Sequence, residues 1–423
     1  MKSYMSFISV ISIILCSAFI FSPNSKKRYI ITDYGAKSDT TVTNTKSIQY
    51  AIDACSANGG GVVVVPKGVF ISGAIFLKKG VNLTVEKDGV LKGSANQNDY
   101  PQIQTRWEGE ERLWTSAFIN AIGVDDIELN GEGTIDGSGD VWVKQEPPGR
   151  SQQQTDSARV PRLGRPRMIC FDKCKNVKIS GLKLHNQAVW CVHILYCKKV
   201  LIENLNITAD HNIPSSDGID IDSSDGVTVT GTFIDVNDDC ISIKSGKDED
   251  GLRVNRPSEN ILIEKCHFAY GHGGVAMGSE TSGGIRKVEV RNCIVDAGNW
   301  APIRFKSQPS RGGVVEDITY RNITLKDTRK AVEFNMAWRM VSTVRPPAKI
   351  LPVVRNIRLI NISGNVGSVG DITGLEGSPI KNVPFHHCNI IADKGLVIQY
   401  ATGVDVSGLK LSVKSGEGVI YKN

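Results

Sequence analysis

The sequence has no long run of lysine and arginine, no basic-helix pattern and no pair of cysteines at CxxC spacing. Nucleic acid is bound by clustered cations and structural zinc by closely spaced thiolates or imidazoles, so neither partner is expected, and no metal or other cofactor is implied. Long apolar runs are equally scarce. The one conspicuous stretch, Phe7–Phe21, follows Lys2 and gives way to polar Ser22–Arg28. It is too short for a comfortable membrane span and has the outline of a secretory signal. Residues 1–22 are therefore expected to be removed on export, with Cys16-Ser17-Ala18 as one small-x-small cut and a site nearer Ser22 as another. Lipidation at Cys16 is disfavoured by Ile14-Leu15 before it. The mature protein is expected in the periplasm, outside the cell or on its surface, without a stable membrane span and as a monomer.

What remains suits a packed chain. Of 423 residues, 40% are hydrophobic and 22% charged, which supports a core and argues against wholesale disorder. Forty-two glycines suit a fold with many tight turns. The net charge of +6 is a mild bias that favours an acidic substrate without identifying one. Export would permit disulfides among the ten cysteines, and Cys170/Cys174 and Cys191/Cys197 are the bridge candidates. Cys266, Cys293 and Cys388 instead occupy one slot of a repeat where a small apolar residue belongs, and read as core thiols.

That repeat carries the architecture. The pattern apolar, x, apolar, x, Gly/Asn, small apolar, x, apolar appears as Val177–Leu184, Val200–Ile207, Val227–Ile234, Ile261–Phe268 and Val288–Val295. It continues at Ile318–Leu325, Ile357–Gly364, Val383–Ile390 and Val404–Leu411, with a looser copy at Ile127–Ile135. Each copy is two short alternating strands about a residue able to take a left-handed turn. An apolar period of two excludes helical repeats, and one copy cannot bury its own face. Coils stacked in register can, so residues 26–423 are expected to form an all-β, right-handed parallel β-helix. Asn44-Thr45 followed by Ile48, Ala51, Ile52 and Cys55 predicts an N-capped amphipathic helix closing the first coil, ended by Asn58-Gly-Gly-Gly61. Ser138–Pro166, rich in Gln, Pro and Arg, breaks the rhythm and is expected to be a long loop.

Between the repeat copies lies a second strand: Gly218–Asp222, Cys240–Lys244, Gly274–Gly278, Pro302–Lys306 and Ala331–Asn335. Its apolar residues should face inward. Asp220, Asp222, Ser242, Lys244, Arg304, Lys306, Glu333 and Asn335 then face outward on one wall. Asp217, Asp238, Asp239 and His272 stand at the entrances of three successive strands. Clustered carboxylates repel, which raises the proton affinity of at least one and lets an acid and a base coexist. Asp-rich turns that merely cap strands or bind calcium are the plainer reading. A histidine and an Arg-x-Lys pair in the next two coils favour catalysis instead.

At these residues the chain resembles glycoside hydrolase family 28, the polygalacturonases and rhamnogalacturonan hydrolases. The resemblance spans residues 30–400 and includes Asp33-Tyr-Gly-Ala36, Asn96–Pro101 and Val189-Trp-Cys-Val-His193. The four blocks that carry it are Ser216-Asp-Gly-Ile-Asp220, Asp238-Asp-Cys240, Gly271-His-Gly273 and Arg304-Phe-Lys306. It implies metal-free inverting hydrolysis at α-linked galacturonate in a pectic polysaccharide or oligogalacturonide. Asp238 would protonate the leaving oxygen, Asp217 and Asp239 would activate water, and His272 would orient or tune the acid. Arg304 and Lys306 would bind a substrate carboxylate, with Asp220, Lys244, Glu333 and Asn335 as further binding candidates on the same wall. The family's first block begins Asn-Thr-Asp, whereas here it is Ser215-Ser216-Asp217, so one sugar contact is missing. That departure keeps a rhamnogalacturonan-directed hydrolase open as an alternative. A β-helix pectate lyase or a non-catalytic carbohydrate-binding β-helix is less favoured. Trp338-Arg339 offers a stacking platform, and the remaining histidines of the turns are taken as ordinary surface residues.

Overall fold

A computed structural model describes residues 26–146, 164–339 and 345–422. The candidate signal segment and most of the predicted 138–166 loop lie outside the described residues; a short helix, Gly139–Lys144, begins that loop. The molecule is a right-handed parallel β-helix, the hand that crossovers between parallel strands of one sheet take. Among the described residues no helix is long and apolar enough to cross a membrane.

The anchor residues predicted from the repeat lie in one ladder. Ile127 pairs with Val177, Val177 with Val200, Val200 with Val227, Val227 with Ile261, and Ile261 with Val288. Val288 then pairs with Ile318, Ile318 with Ile357, and Val383 with Val404. The turn is left-handed as expected in most copies, with positive φ at Gly181, Asn204, Gly231, Lys265, Asn292, Asn322 and Asn361, but not at Gly408 in the last. Asparagine suits this slot twice over, because its amide also reaches the neighbouring coil: Asn322 donates to Asn292 at 2.8 Å and Asn361 to Asn322 at 2.9 Å. Inside, Ile219, Ile221, Ile241, Ile243, Val275, Met277, Ile303 and Phe305 are buried and stack coil upon coil. Burying a side chain of this size contributes about 1.5–3 kcal/mol, so one coil is marginal and the stack is not.

The capping helix spans Thr45–Ala57 and buries Ile48, Ala51, Ile52 and Cys55 over the first coil. Its start differs from expectation. Asn44 makes no side-chain cap; its amide clamps the preceding loop through Lys37 and Val42, while Thr45 Oγ1 accepts from Gly73 N at 2.7 Å. The disulfide expectation is also corrected, since all four candidate cysteines are free and buried. Stacking register, not spacing along the chain, sets their neighbours: Cys170 pairs with His193, and Cys191 Sγ lies 3.7 Å from Met168 Sδ. Cys266, Cys293 and Cys388 are core thiols as read.

Candidate active site

The second strands form a continuous wall, with Asp220 beside Ser242, Ala276 beside Arg304, and Arg304 beside Glu333. These side chains leave the apolar core as predicted, yet most do not meet solvent. Asp220, Asp222, Ser242, Lys244, Arg304, Lys306 and Glu333 are all buried. The cover is an antiparallel hairpin, Gln102–Trp107 and Glu110–Thr115, turned at Glu108-Gly109 with positive φ at both residues. Arg106 reaches from it to Asp222 at 2.8 Å, both side chains being fully buried. Trp107 stacks on Trp114 and lies 4.6 Å from Trp190, whose ring in turn sits 4.7 Å from Lys244 Nζ. The hairpin tip closes on the far wall: Lys247 N donates to Gly109 O at 2.9 Å, and Glu110 pairs with Lys247 and Arg345.

At the strand entrances the coil-to-coil backbone ladder continues through the site. Gly218 N donates to Asp239 O, Cys240 N to Gly273 O, and His272 N to Asp238 O. Two neighbouring coils thereby bring Asp217, Asp238 and Asp239 together, with one carboxylate oxygen of each within 4.8 Å of the others, and a third coil supplies His272. Gly273 is required here, because a Cβ on it would stand 2.7 Å from Asp239 Oδ1. Asp217 is held from behind by Gln187, whose amide donates to the backbone carbonyls of Ser216 and Asp217. Ser216 itself accepts from Asn237 N at 3.1 Å, so this residue of the altered first block joins two coils.

The carboxyls differ in environment. Asp239 is paired with Lys306 at 2.5 Å and Arg304 at 3.4 Å. Burial, with Asp220 and Asp238 nearby, pushes the Asp217 carboxyl well above its ordinary range. Burial likewise raises Asp220 to about 7 despite Lys244 at 3.5 Å. For Asp238, burial works upward, but the hydrogen bond from His272 and the charges of Lys306 and His272 outweigh it and hold the carboxyl below its usual range. His272 Nδ1 lies 3.2 Å from Asp238 Oδ1, and that bond raises the imidazole above its ordinary value. Asp238 and His272 thus form a dyad retaining one proton beyond the pH at which free imidazole loses it, while Asp217 is the carboxyl that resists ionisation. Asp238 and His272 are also the members of the cluster that remain partly open to solvent, at 27% and 50% side-chain exposure.

The predicted binding residues are placed unevenly. Lys244 lies 3.9 Å from Asp217, 3.5 Å from Asp220 and 3.2 Å from Glu280, a buried carboxylate that sequence reasoning missed. Arg304 is held by Glu333 at 2.7 Å as well as by Asp239, and Trp338 lies over Arg304 and Lys306 at 4.7 and 5.6 Å. Arg304 and Lys306 are therefore matched internally, not two bare cations in a groove. Asn335 stands beside Lys306 in the ladder, but its Oδ1 is engaged by Ala337 N at 2.9 Å in a turn. Also missed were Trp300, opposite His272 in the ladder, and the hairpin with its tryptophans. Alternation over Gln102–Trp107 and the Glu-Gly turn were signals for the hairpin; nothing in the spacing places Glu280.

The three aspartates are the one group of potential metal ligands among the described residues. Lys244, Arg304 and Lys306 already face them within ion-pair distance, so a divalent cation would add to that positive charge at close range. The donor set fits proton transfer better than calcium, which is usually bound by six to eight oxygens.

Clustered acids and a histidine on one wall of a parallel β-helix define a glycoside hydrolase. The chain belongs to the family described as Glycosyl hydrolases family 28, whose model it matches over residues 55–407. It is 29% identical over 400 residues to a "Probable polygalacturonase" of Vitis vinifera, covering 90% of this chain and 78% of that one. It is 28% identical to an "Exo-poly-alpha-D-galacturonosidase" of Dickeya chrysanthemi, covering 85% of this chain and 66% of the relative. The solved exopolygalacturonase of Thermotoga maritima is similar with a TM-score of 0.73 and 27% identity, covering 93% and 91% of the two chains.

Proposed function

We propose that the protein hydrolyses α-linked galacturonate in pectic polysaccharide, removing residues from a chain end by water attack with inversion. The observation that carries the reaction type is the division of labour among the three aspartates. The accessible Asp238–His272 dyad holds a proton next to the groove and would deliver it through Asp238 to the leaving oxygen. Asp217 and Asp239 lie behind it, 3% and 1% exposed. Neither is open enough to form a covalent bond to a sugar, so the nucleophile is a water held between them. An inverting pair keeps its two carboxyl groups about 6.5–9.5 Å apart to leave room for that water. Arg304 keeps Nη2 for a substrate carboxylate, its Nε and Nη1 being engaged by Glu333 and Asp239.

End-directed action is favoured by the asymmetry of the wall. On the N-terminal side Cys170, Asp172, His193 and Asp222 are buried beneath the hairpin and the tryptophans. On the C-terminal side Asn335, Asp371 and Thr373 are partly exposed. A groove roofed at one end and open at the other accepts a terminus. The substrate also agrees with an exported enzyme, as the Lys2–Phe21 segment suggests.

Incubation with polygalacturonate, rhamnogalacturonan and methyl-esterified pectin, with and without chelator, tests this reading. Release of galacturonate or a short oligomer from polygalacturonate, with little early fall in viscosity and no effect of chelator, is expected. Unsaturated products, or activity restored only by calcium, would make the protein a lyase. Hydrolysis confined to rhamnogalacturonan would move the substrate, and rapid loss of viscosity would overturn end-directed action.

A further inference from the structure

On the open side of the site the buried and half-buried cations are engaged by carboxylates. Arg304 is held by Asp239 and Glu333, Lys306 by Asp239, and Lys330 by Glu333 and Asp371. Arg329 has no ion-pair partner among the described residues; its guanidinium lies over the Trp300 ring at 3.7 Å and is exposed. Trp300 is fixed in turn. Its Nε1 donates to Glu333 Oε1 at 3.4 Å, the same carboxylate that holds Arg304. The ladder pairs Gly271 with Asn299 and Gly273 with Ala301, which puts Trp300 beside His272 one coil further on. Arg329 belongs to the coil after that.

A flexible cation immobilised on an indole, with no carboxylate of its own, is presented for a ligand. Its edge offers paired N–H donors matched to a carboxylate, and the flat stack fixes their direction. From the coil of Asp238 to that of Arg329 is three coil spacings, roughly 14 Å at about 4.8 Å each. That distance is beyond a sugar bound directly at the scissile bond.

Resting on the galacturonan reading above, we propose that Trp300 and Arg329 form a distal site that binds the carboxylate of an acidic sugar lying along the open groove. The site sets a preference for longer acidic chains. It acts on binding and not on the chemical step.

The test compares Arg329→Ala and Arg329→Lys with the unmodified protein on galacturonate oligomers of increasing length. For Arg329→Ala the loss in kcat/KM should grow with length, reaching about tenfold on the longest oligomers, and should lie in KM; this is the low end for a lost charge-assisted hydrogen bond. Arg329→Lys should recover part of it. A loss equal at all lengths, or none, would overturn the site. Binding of galacturonate hexamer to Asp238→Asn, with and without Arg329→Ala, separates the two readings. Arg329-dependent binding without hydrolysis by the unmodified protein would sustain the site and refute the reaction. Hydrolysis with Arg329-independent binding would do the reverse, and absence of binding would refute both.

Discussion

Asp220 has a measurable consequence for stability. Its side chain is fully buried, and Lys244 at 3.5 Å does not compensate for lost water. Burial raises its carboxyl from 3.8 to about 7. That rise of about three pH units, at about 1.36 kcal/mol each, makes the ionised carboxylate oppose folding by about 4 kcal/mol at neutral pH. The sign follows from the direction. A group whose folded pKa is raised contributes fully below its unfolded value, and the contribution is lost as pH climbs from about 4 through 7. Asp220→Asn keeps the shape and removes the titration, and Lys244 keeps Glu280 at 3.2 Å. The variant should match the parent in urea midpoint near pH 4 and exceed it increasingly towards pH 7, by up to about 4 kcal/mol. Parallel pH profiles for the two proteins would refute the claim that an unsolvated carboxyl sits there.

Two further outcomes follow from the dyad. Asp238→Asn should lower kcat by about 10²–10⁴-fold with little change in KM, because an amide cannot deliver the proton; steady-state kinetics on polygalacturonate check this. His272→Ala should move the alkaline limb of the kcat profile to lower pH, since the bond to Asp238 is what raises the imidazole. An alkaline limb left in place would mean that the proton is held elsewhere.

Much of the wall was legible in the sequence because period-two alternation decides which face of each strand Ile219, Ile241 and Ile303 occupy. A Gly or Asn marks the left-handed turn in most coils, although Lys265 and His387 take it as well. Asp238 and His272 were legible for the same reason, because equal offsets from the stacked anchors Val227 and Ile261 become neighbours in space, and Asp217 was legible from its place at the entrance of the preceding strand. Alternation says nothing, however, about what covers the outer face. Lys244, Arg304 and Lys306 are buried by a hairpin over a hundred residues earlier, by Trp190 and by Trp338, and their carboxylate partners come from other coils. The sequence left the pairing of Cys170, Cys174, Cys191 and Cys197 open, and all four are buried free thiols, with Cys174 and Cys197 meeting across stacked coils. Asn335 was assigned by alternation at a strand end, where the backbone turns and claims the side chain.

The central claim is that a water held between Asp217 and Asp239 attacks the anomeric carbon and passes its proton to the Asp239 carboxylate, while Asp238 donates a proton to the leaving oxygen. Proton NMR of an α-linked galacturonate oligomer during the first turnovers reads this directly, before the released sugar mutarotates. The account predicts that the β anomer of the new reducing end appears first. Initial appearance of the α anomer would require a covalent sugar–carboxylate intermediate and would contradict it.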